Sequence, residues 1–326
     1  MNIPMEPIRL AGLLTVQMLP KAVVDFTTLA AIGAPILAVI LEITAKARKK
    51  IFYDKLAQQV TALSLILYTL FILCIGGAAA YFCQKLPWLK DWFINPSSPV
   101  MMFYVTLAVA LLGLIPYKYT WKALKKNKPA HVSLGILGML GGTASIHVAT
   151  VIMKQFFTMQ TQSATPEVPQ IPFYTHFCQM PDNASLCLAG IYLIMALSFA
   201  ATASGFYLVL RRNKDDFGRD YYKFSLPVIS RCALAPTIVL LTAVAGVIYY
   251  MVNPNFDLLY KDLTSAVTLG SSLFLILVCC AVWVVTWKSE TPMRHKIGLS
   301  FAPFLIIIAH AALLGGAMKV YLTMAQ

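Results

Sequence analysis

Four of the five histidines in this chain form a repeated pattern. His131 and His295 each open an apolar segment, and His147 and His310 follow later in the same two segments. With a helix rise of about 1.5 Å per residue, the two histidine levels lie roughly 22–24 Å apart. Facing imidazoles on neighbouring helices can supply both axial ligands of a b-type haem iron. The pattern therefore predicts two candidate haem sites, which would carry electrons across most of a bilayer.

The same histidines also have interpretations that need no metal. His131 and His295 lie among lysines and arginines, where an interfacial imidazole requires no ligand. His147 and His310 lie in apolar sequence, where an imidazole without a partner is costly. Small residues flank both of them and leave room for a macrocycle, but small residues also let helices touch. The histidines can then bond each other or a quinone.

Three charged residues intrude into apolar segments: Asp25, Glu42 and Arg231. Asp25 suits a structural or capping role, or proton release during quinol oxidation. Glu42 and Arg231 both lie near the predicted inner ends of their helices, so an ion pair between them is one solution to two costly charges. Arg231 facing a haem propionate is another.

Two cysteines bracket the end of the longest connection, residues 156–185. Cys178 and Cys187 fall on the predicted outer side, where an oxidising compartment favours a disulfide. Two free thiols are the alternative.

The elements that must position these residues are membrane-spanning helices. Of the 326 residues, 59% are hydrophobic and only 12% are charged, about half the charge of a soluble domain. A window of about 20 residues, the length that crosses a bilayer, gives eight apolar segments. The fold class is therefore an all-α polytopic membrane protein. The segments are 20–44, 58–82, 100–118, 132–155, 186–209, 227–251, 264–287 and 297–322.

The basic residues alternate along the chain. Lysines and arginines concentrate after the first, third, fifth and seventh segments. Under the positive-inside rule these loops lie in the cytoplasm, so both termini lie outside. The net charge of +13 is thus explained by topology and contact with lipid, and we expect no nucleic-acid partner.

An internal repeat links the two halves. Thr120-Trp121-Lys122 closes the third segment and Thr286-Trp287-Lys288 closes the seventh. Each is followed by a helix with two histidines. This register predicts tandem four-helix units at 1–155 and 186–326, separated by the outer loop 156–185 and related by an axis along the membrane normal.

The first apolar segment and its loop resemble a known family. The sequences LAVILE at 37–42 and KKIFYDK at 49–55 resemble the start of subunit I of cytochrome bd-type quinol oxidases, which also begins outside. That family has a haem-ligating histidine where this chain has Val24-Asp25, and its GRQPW signature is absent. The resemblance therefore implies quinol or electron handling without the dioxygen site. The eight-helix plan also looks like polysulfide-reductase-type quinone anchors.

These features favour a membrane subunit of a respiratory complex. It would exchange electrons between the quinone pool and other respiratory subunits, through b-type haem held by His147 and His310. We expect it in a bacterial cytoplasmic membrane with both termini on the periplasmic side. The redox chemistry would belong to the cofactor, which the protein orients and tunes.

Two other functions are consistent with the sequence. A transporter or channel would suit the parallel repeat and the many glycines, although the centre of the bundle lacks the ionisable relays that such proteins use. A scaffold subunit without a cofactor would use its histidines only for hydrogen bonds between helices.

Overall fold

All regular structure in the described part of the chain is helical. The computed structural model describes residues 5–162, 183–215, 217–252 and 262–324. The predicted all-α class is confirmed. In chain order the helices are α1 Met5–Arg48, α2 Ile51–Lys85, α3 Pro87–Ile94, α4 Pro99–Tyr119, α5 Lys128–Gln162, α6 Asn183–Arg211, α7 Arg219–Val252, α8 Leu263–Lys288, a 3₁₀ helix at Pro292–His295, and α9 Lys296–Met324.

Eight helical stretches in the described chain are long and apolar enough to cross a membrane. They are α1, α2, α4 to α8, and a last stretch that runs from the 3₁₀ helix into α9. This confirms the eight segments expected from the sequence and makes the protein an integral membrane protein. Helix α1 begins at Met5, well before the predicted start near residue 20. Residues 8–19 are mainly apolar and rich in good helix formers, so the helix continues through them. The sides of the membrane on which the termini lie stay a prediction.

The described chain divides into two compact units. One contains Leu29–Ala196, and the other contains Met1–Thr28 with Leu197–Gln326. Helices α1 and α6 contribute to both units, whereas α2 to α5 lie in the first and α7 to α9 in the second. The tandem repeat at 1–155 and 186–326 stays a prediction.

Short polar residues fix the starts of two spanning helices. Ser98 accepts a hydrogen bond from the Val100 amide at 3.2 Å, with Pro99 at the first helical position of α4. Asp262 accepts from the Thr264 amide at 3.2 Å and begins α8 in the same way. Such caps satisfy amides that the first helical turn leaves without partners.

Glycine allows α4 and α5 to pack backbone against backbone. A Cβ atom at Gly113 would collide with the backbone of Gly138, and one at Gly141 would collide with the backbone of Ala110. The glycines of α5 therefore have a packing role in this unit, as small residues commonly do between membrane helices.

Much of the apolar surface of the spans faces outward. Leu73, Leu112, Phe274 and Phe301 are each more than half exposed. Exposed apolar side chains on this scale are expected where a helix contacts lipid. Membrane lipid is therefore a partner of the chain.

Candidate functional site

A buried histidine–carboxylate pair joins the end of α1 to the start of α5. The Nδ1 atom of His131 lies 2.8 Å from Oε1 and 3.0 Å from Oε2 of Glu42. The opposite ring nitrogen, Nε2, lies 2.8 Å from the backbone oxygen of Tyr117. Both side chains are only 1% exposed. The pair therefore lies inside the first unit, near the predicted inner membrane face.

This geometry requires the pair to hold a proton. A backbone carbonyl only accepts hydrogen bonds, so Nε2 of His131 carries a hydrogen. The contact between Nδ1 and the carboxyl then needs a second proton, on His131 or on Glu42. The Tyr117 hydroxyl donates to Oε2 of Glu42 at 2.7 Å. Donors around a carboxyl favour its ionised form, so we assign an imidazolium and a carboxylate.

A second ion pair connects Glu42 to the surface. Lys128 Nζ lies 3.1 Å from Glu42 Oε1 and 2.5 Å from Asp54 Oδ1. The two carboxylates and two cations of this cluster cancel in charge, which reduces the cost of burying them. An open groove of about 460 Å³ lies beside the cluster and is lined by Glu42, Asp54 and Lys128 among others.

Aromatic rings hold His131 in place. Its ring centroid lies 4.6 Å from that of Tyr117 and 4.4 Å from that of Trp121. The ammonium of Lys128 lies 4.7 Å from the Trp121 ring centroid. Cations over aromatic faces are favourable, particularly when they are removed from water. The rings therefore help to stabilise a charged imidazole.

A second histidine–carboxylate pair occurs in the other unit. His310 Nε2 of α9 lies 3.0 Å from Oδ2 of Asp25, in the first part of α1. Lys21 donates to the same Oδ2 atom at 2.6 Å. His310 is 7% exposed and Asp25 is 22% exposed. Among the described residues both contacts use Oδ2, so Oδ1 can accept a hydrogen bond from a ligand.

Packing orients His310 toward Asp25. The ring of Phe199 lies edge-on to His310, with centroids 5.8 Å apart, and Phe199 also contacts Phe26 at 5.1 Å. Alanines on both sides of His310 are fully buried. A partly buried carboxylate backed by an oriented imidazole is an arrangement that can accept a proton from a ligand in the membrane.

The remaining predicted site residues are placed as follows. His147 is half-buried on α5, and His295 is half-buried at the end of the 3₁₀ helix. Arg231 is exposed, and its guanidinium carbon lies 5.0 Å from the centroid of the Trp287 ring. Cys187 is exposed at the start of α6, whereas Cys178 lies outside the described residues, so their disulfide stays a prediction.

The ring nitrogens of two predicted haem ligands already have partners. An axial ligand needs one ring nitrogen directed at the iron, with space for the macrocycle. Both nitrogens of His131 are occupied by Glu42 and Tyr117, and Nε2 of His310 is occupied by Asp25. To bind iron in this arrangement, His131 would have to give up a hydrogen bond. His310 could keep its contact with Asp25 through Nε2 and present Nδ1 to a metal, as metal-binding histidines commonly do. The binding of haem by the four histidines therefore stays a prediction.

Several residues around the Glu42–His131 pair could not be identified from the sequence. Tyr117, Lys128 and Asp54 belong to separate helices, and neither charge nor spacing links them to Glu42. One local signal was present, since Lys128 and His131 are three positions apart on one helix and so share a face. The only sequence signal at Trp121 is its place in the repeated Thr-Trp-Lys motif.

Comparison with known proteins shows a fold likeness. No family profile matches the chain, and no curated protein matches it by sequence. The structure of the bd oxidase from Geobacillus thermodenitrificans superposes with a TM-score of 0.68 and 16% sequence identity, covering 94% of this chain and 85% of that chain. The likeness confirms, at the level of the fold, the resemblance to the cytochrome bd-type quinol oxidases.

Proposed function

We propose that this chain is a membrane subunit of a respiratory complex related to bd-type quinol oxidases, and that it exchanges electrons with the quinone pool. The observation that carries the proposal is the fold likeness to a bd oxidase over almost the whole chain. The eight apolar helices place the chain in the membrane, where quinones dissolve.

The Asp25–His310 pair is the candidate proton acceptor for a quinol. Oxidation of a quinol to a quinone releases two protons and two electrons. Asp25 Oδ1 would accept a hydrogen bond from one quinol hydroxyl and take its proton, while His310 and Lys21 hold the carboxyl group in position through Oδ2. The proton of the second quinol hydroxyl would pass to water. The electrons would pass to a redox group of the same complex. A side chain positioned in this way accelerates the reaction by accepting the proton as it leaves the substrate.

A b-type haem would supply the one-electron carrier in this scheme. The proposed ligands are His147, His295, His310 and His131. Nδ1 of His310 could bind iron while Nε2 keeps its contact with Asp25, whereas His131 would have to release one of its two partners. Absorption spectra of the complex purified through a tag on this chain test the haem directly. We expect a Soret band with split reduced α-band features, and these features should weaken in a His147→Ala variant. A colourless, folded complex would eliminate the haem.

A scaffold without a cofactor is the second candidate. The observation that favours it is that His131 and His310 each already bond a carboxylate. Binding of a quinol analogue to the same purified complex separates the two functions. An electron-exchanging subunit binds the analogue, and the Asp25→Asn variant binds it more weakly. A scaffold subunit shows no saturable binding of the analogue, but deletion of this chain makes the complex dissociate.

A further inference from the structure

A polar cavity opens at the end of the second unit that holds the loops between α6 and α7 and between α8 and α9. Its volume is about 770 Å³, which is in the usual range of ligand sites. The positive-inside rule assigns both loops to the cytoplasm. The cavity therefore lies where the inner leaflet meets the cytosol.

Cationic side chains from separate elements converge on this cavity. Glu290 is the acidic residue of the lining. Five cations against one carboxylate leave the lining with four excess positive charges. In the described part of the chain, none of these cations forms an ion pair with a carboxylate. The five are Arg212 after α6, Arg219 and Lys223 at the start of α7, Arg294 in the 3₁₀ helix, and Lys296 at the start of α9.

The local backbone also favours an anion. Gly218 has a φ of 81°, a conformation that glycine adopts easily, and it turns the chain directly into α7. Arg219 is the first residue of this helix, whose first amides have no partners within the helix. Helix N-termini attract anions, and here the amides add to side chains that already converge.

We propose that this cavity binds an anion carrying two or more phosphate groups. Four excess charges match a multiply charged anion better than a single phosphate, and the volume leaves room for more than one phosphate group. Three of the cations are arginines, whose planar guanidinium groups bind phosphate oxygens in pairs. The site is independent of the proposed quinol chemistry. Its ligand is either the headgroup of a lipid with two phosphates or a free diphosphate in the cytosol.

Topology alone does not explain this arrangement. The positive-inside rule requires basic residues in a loop but does not require them to surround a cavity. The groove beside Glu42 in the first unit is also lined by lysines, but it contains two carboxylates, Glu42 and Asp54, with which Lys128 pairs. Lys122 and Lys126 of the same loop are exposed and line neither cavity. These two lysines provide a matched control, because they carry the same charge in a loop assigned to the same side.

Binding to the purified full chain tests the proposal in two arms. The first arm titrates the protein in neutral detergent with inorganic pyrophosphate, with inorganic phosphate as a comparison, by calorimetry. The second arm measures retention of cardiolipin by native mass spectrometry after reconstitution in phosphatidylcholine nanodiscs containing cardiolipin. Saturation by pyrophosphate alone identifies a free diphosphate as the ligand source. Retention of cardiolipin alone identifies the lipid.

Variants decide whether the cavity is the site. Arg219→Gln combined with Arg294→Gln should weaken binding at least tenfold in whichever arm is positive. Lys122→Gln combined with Lys126→Gln should leave it unchanged. Glu290→Gln removes the acidic residue of the lining and should tighten binding several-fold, so a gain of affinity is testable even if the arginine variant fails to fold.

Three results would overturn the proposal. One is the absence of saturable binding in both arms. Another is an equal loss of affinity in the arginine pair and the lysine pair, which would indicate general attraction of anions to a basic surface. The third is unchanged affinity in Glu290→Gln.

Discussion

His131 Nδ1 lies 2.8 Å from Glu42 Oε1, although 89 residues separate the two in the sequence. The contact joins the C-terminal end of α1 to the first turn of α5, and both side chains are buried. Charged groups in a membrane protein are retained where they pair with one another. The pair is therefore a buried polar link between two helices.

Glu42→Gln should destabilise the first unit. The substitution removes the carboxylate and leaves the cations of His131 and Lys128 facing a neutral amide. Breaking one partner of a buried pair costs about 3 kcal/mol or more. A lower unfolding temperature in detergent measures the effect. Glu6→Gln, at an exposed position of the same helix, serves as the control and should change the temperature little.

A double-mutant cycle tests whether Glu42 and His131 act together. The double variant Glu42→Gln with His131→Gln should lose less free energy of unfolding than the two single variants lose in sum. The reason is that the second substitution removes a charge that the first left without its carboxylate. Additive losses would show that the two side chains are not coupled.

Gly141→Val should separate α4 from α5. A Cβ at this position collides with the Ala110 backbone, which cannot move aside as a side chain tip does. We expect a loss of stability of a few kcal/mol, as in other overpacked sites. Gly77→Ala is the comparison, since no heavy atom lies within 4 Å of its added Cβ. It should be neutral or slightly stabilising because alanine favours a helix. Equal effects would contradict the close packing.

Asp25→Asn should slow quinol oxidation without preventing assembly. An amide cannot take the proton that the quinol releases, so kcat should fall at least tenfold while the complex elutes unchanged. Raising the pH should restore part of the rate, because a deprotonated quinol needs no acceptor. Asp91→Asn, at an exposed position on the same predicted side, is the control. A rate loss that does not respond to pH would indicate a merely structural role.

The topology is testable by labelling. A cysteine placed by Asp91→Cys should react with a membrane-impermeant maleimide in intact cells, whereas Lys122→Cys should react only after the membrane is opened. The comparison is made in a background without the native cysteines. The reverse pattern would overturn the assignment of the basic loops to the cytoplasm and of both termini to the outside.

The membrane class and the number of spans could be predicted because both depend on composition over long windows. Eight apolar segments in the sequence correspond to eight spanning helices, since a bilayer fixes the length each helix needs. Helix α1 extends beyond the predicted apolar segment 20–44 because the apolar sequence continues beyond the length that a membrane requires.

The partners of the buried charges could not be predicted from the sequence. The sequence suggested Arg231 as one possible ion-pair partner of Glu42. In the structure Glu42 contacts His131, Tyr117 and Lys128. Which buried charges meet depends on how helices rotate and pack, and a period of 3.6 residues gives each helix several similar faces. Asp25 and His310 show the same limit, because 285 residues separate them.

The most direct test of the central claim is quinol oxidation by the complex purified through a tag on this chain. Decylubiquinol and a short-chain menaquinol are supplied with the tagged wild type and with the Asp25→Asn variant, and the appearance of quinone is followed by absorbance. We expect turnover of at least one quinol by the wild type and a rate at least tenfold lower in the variant. An intact complex that contains this chain and neither binds nor oxidises either quinol would contradict it.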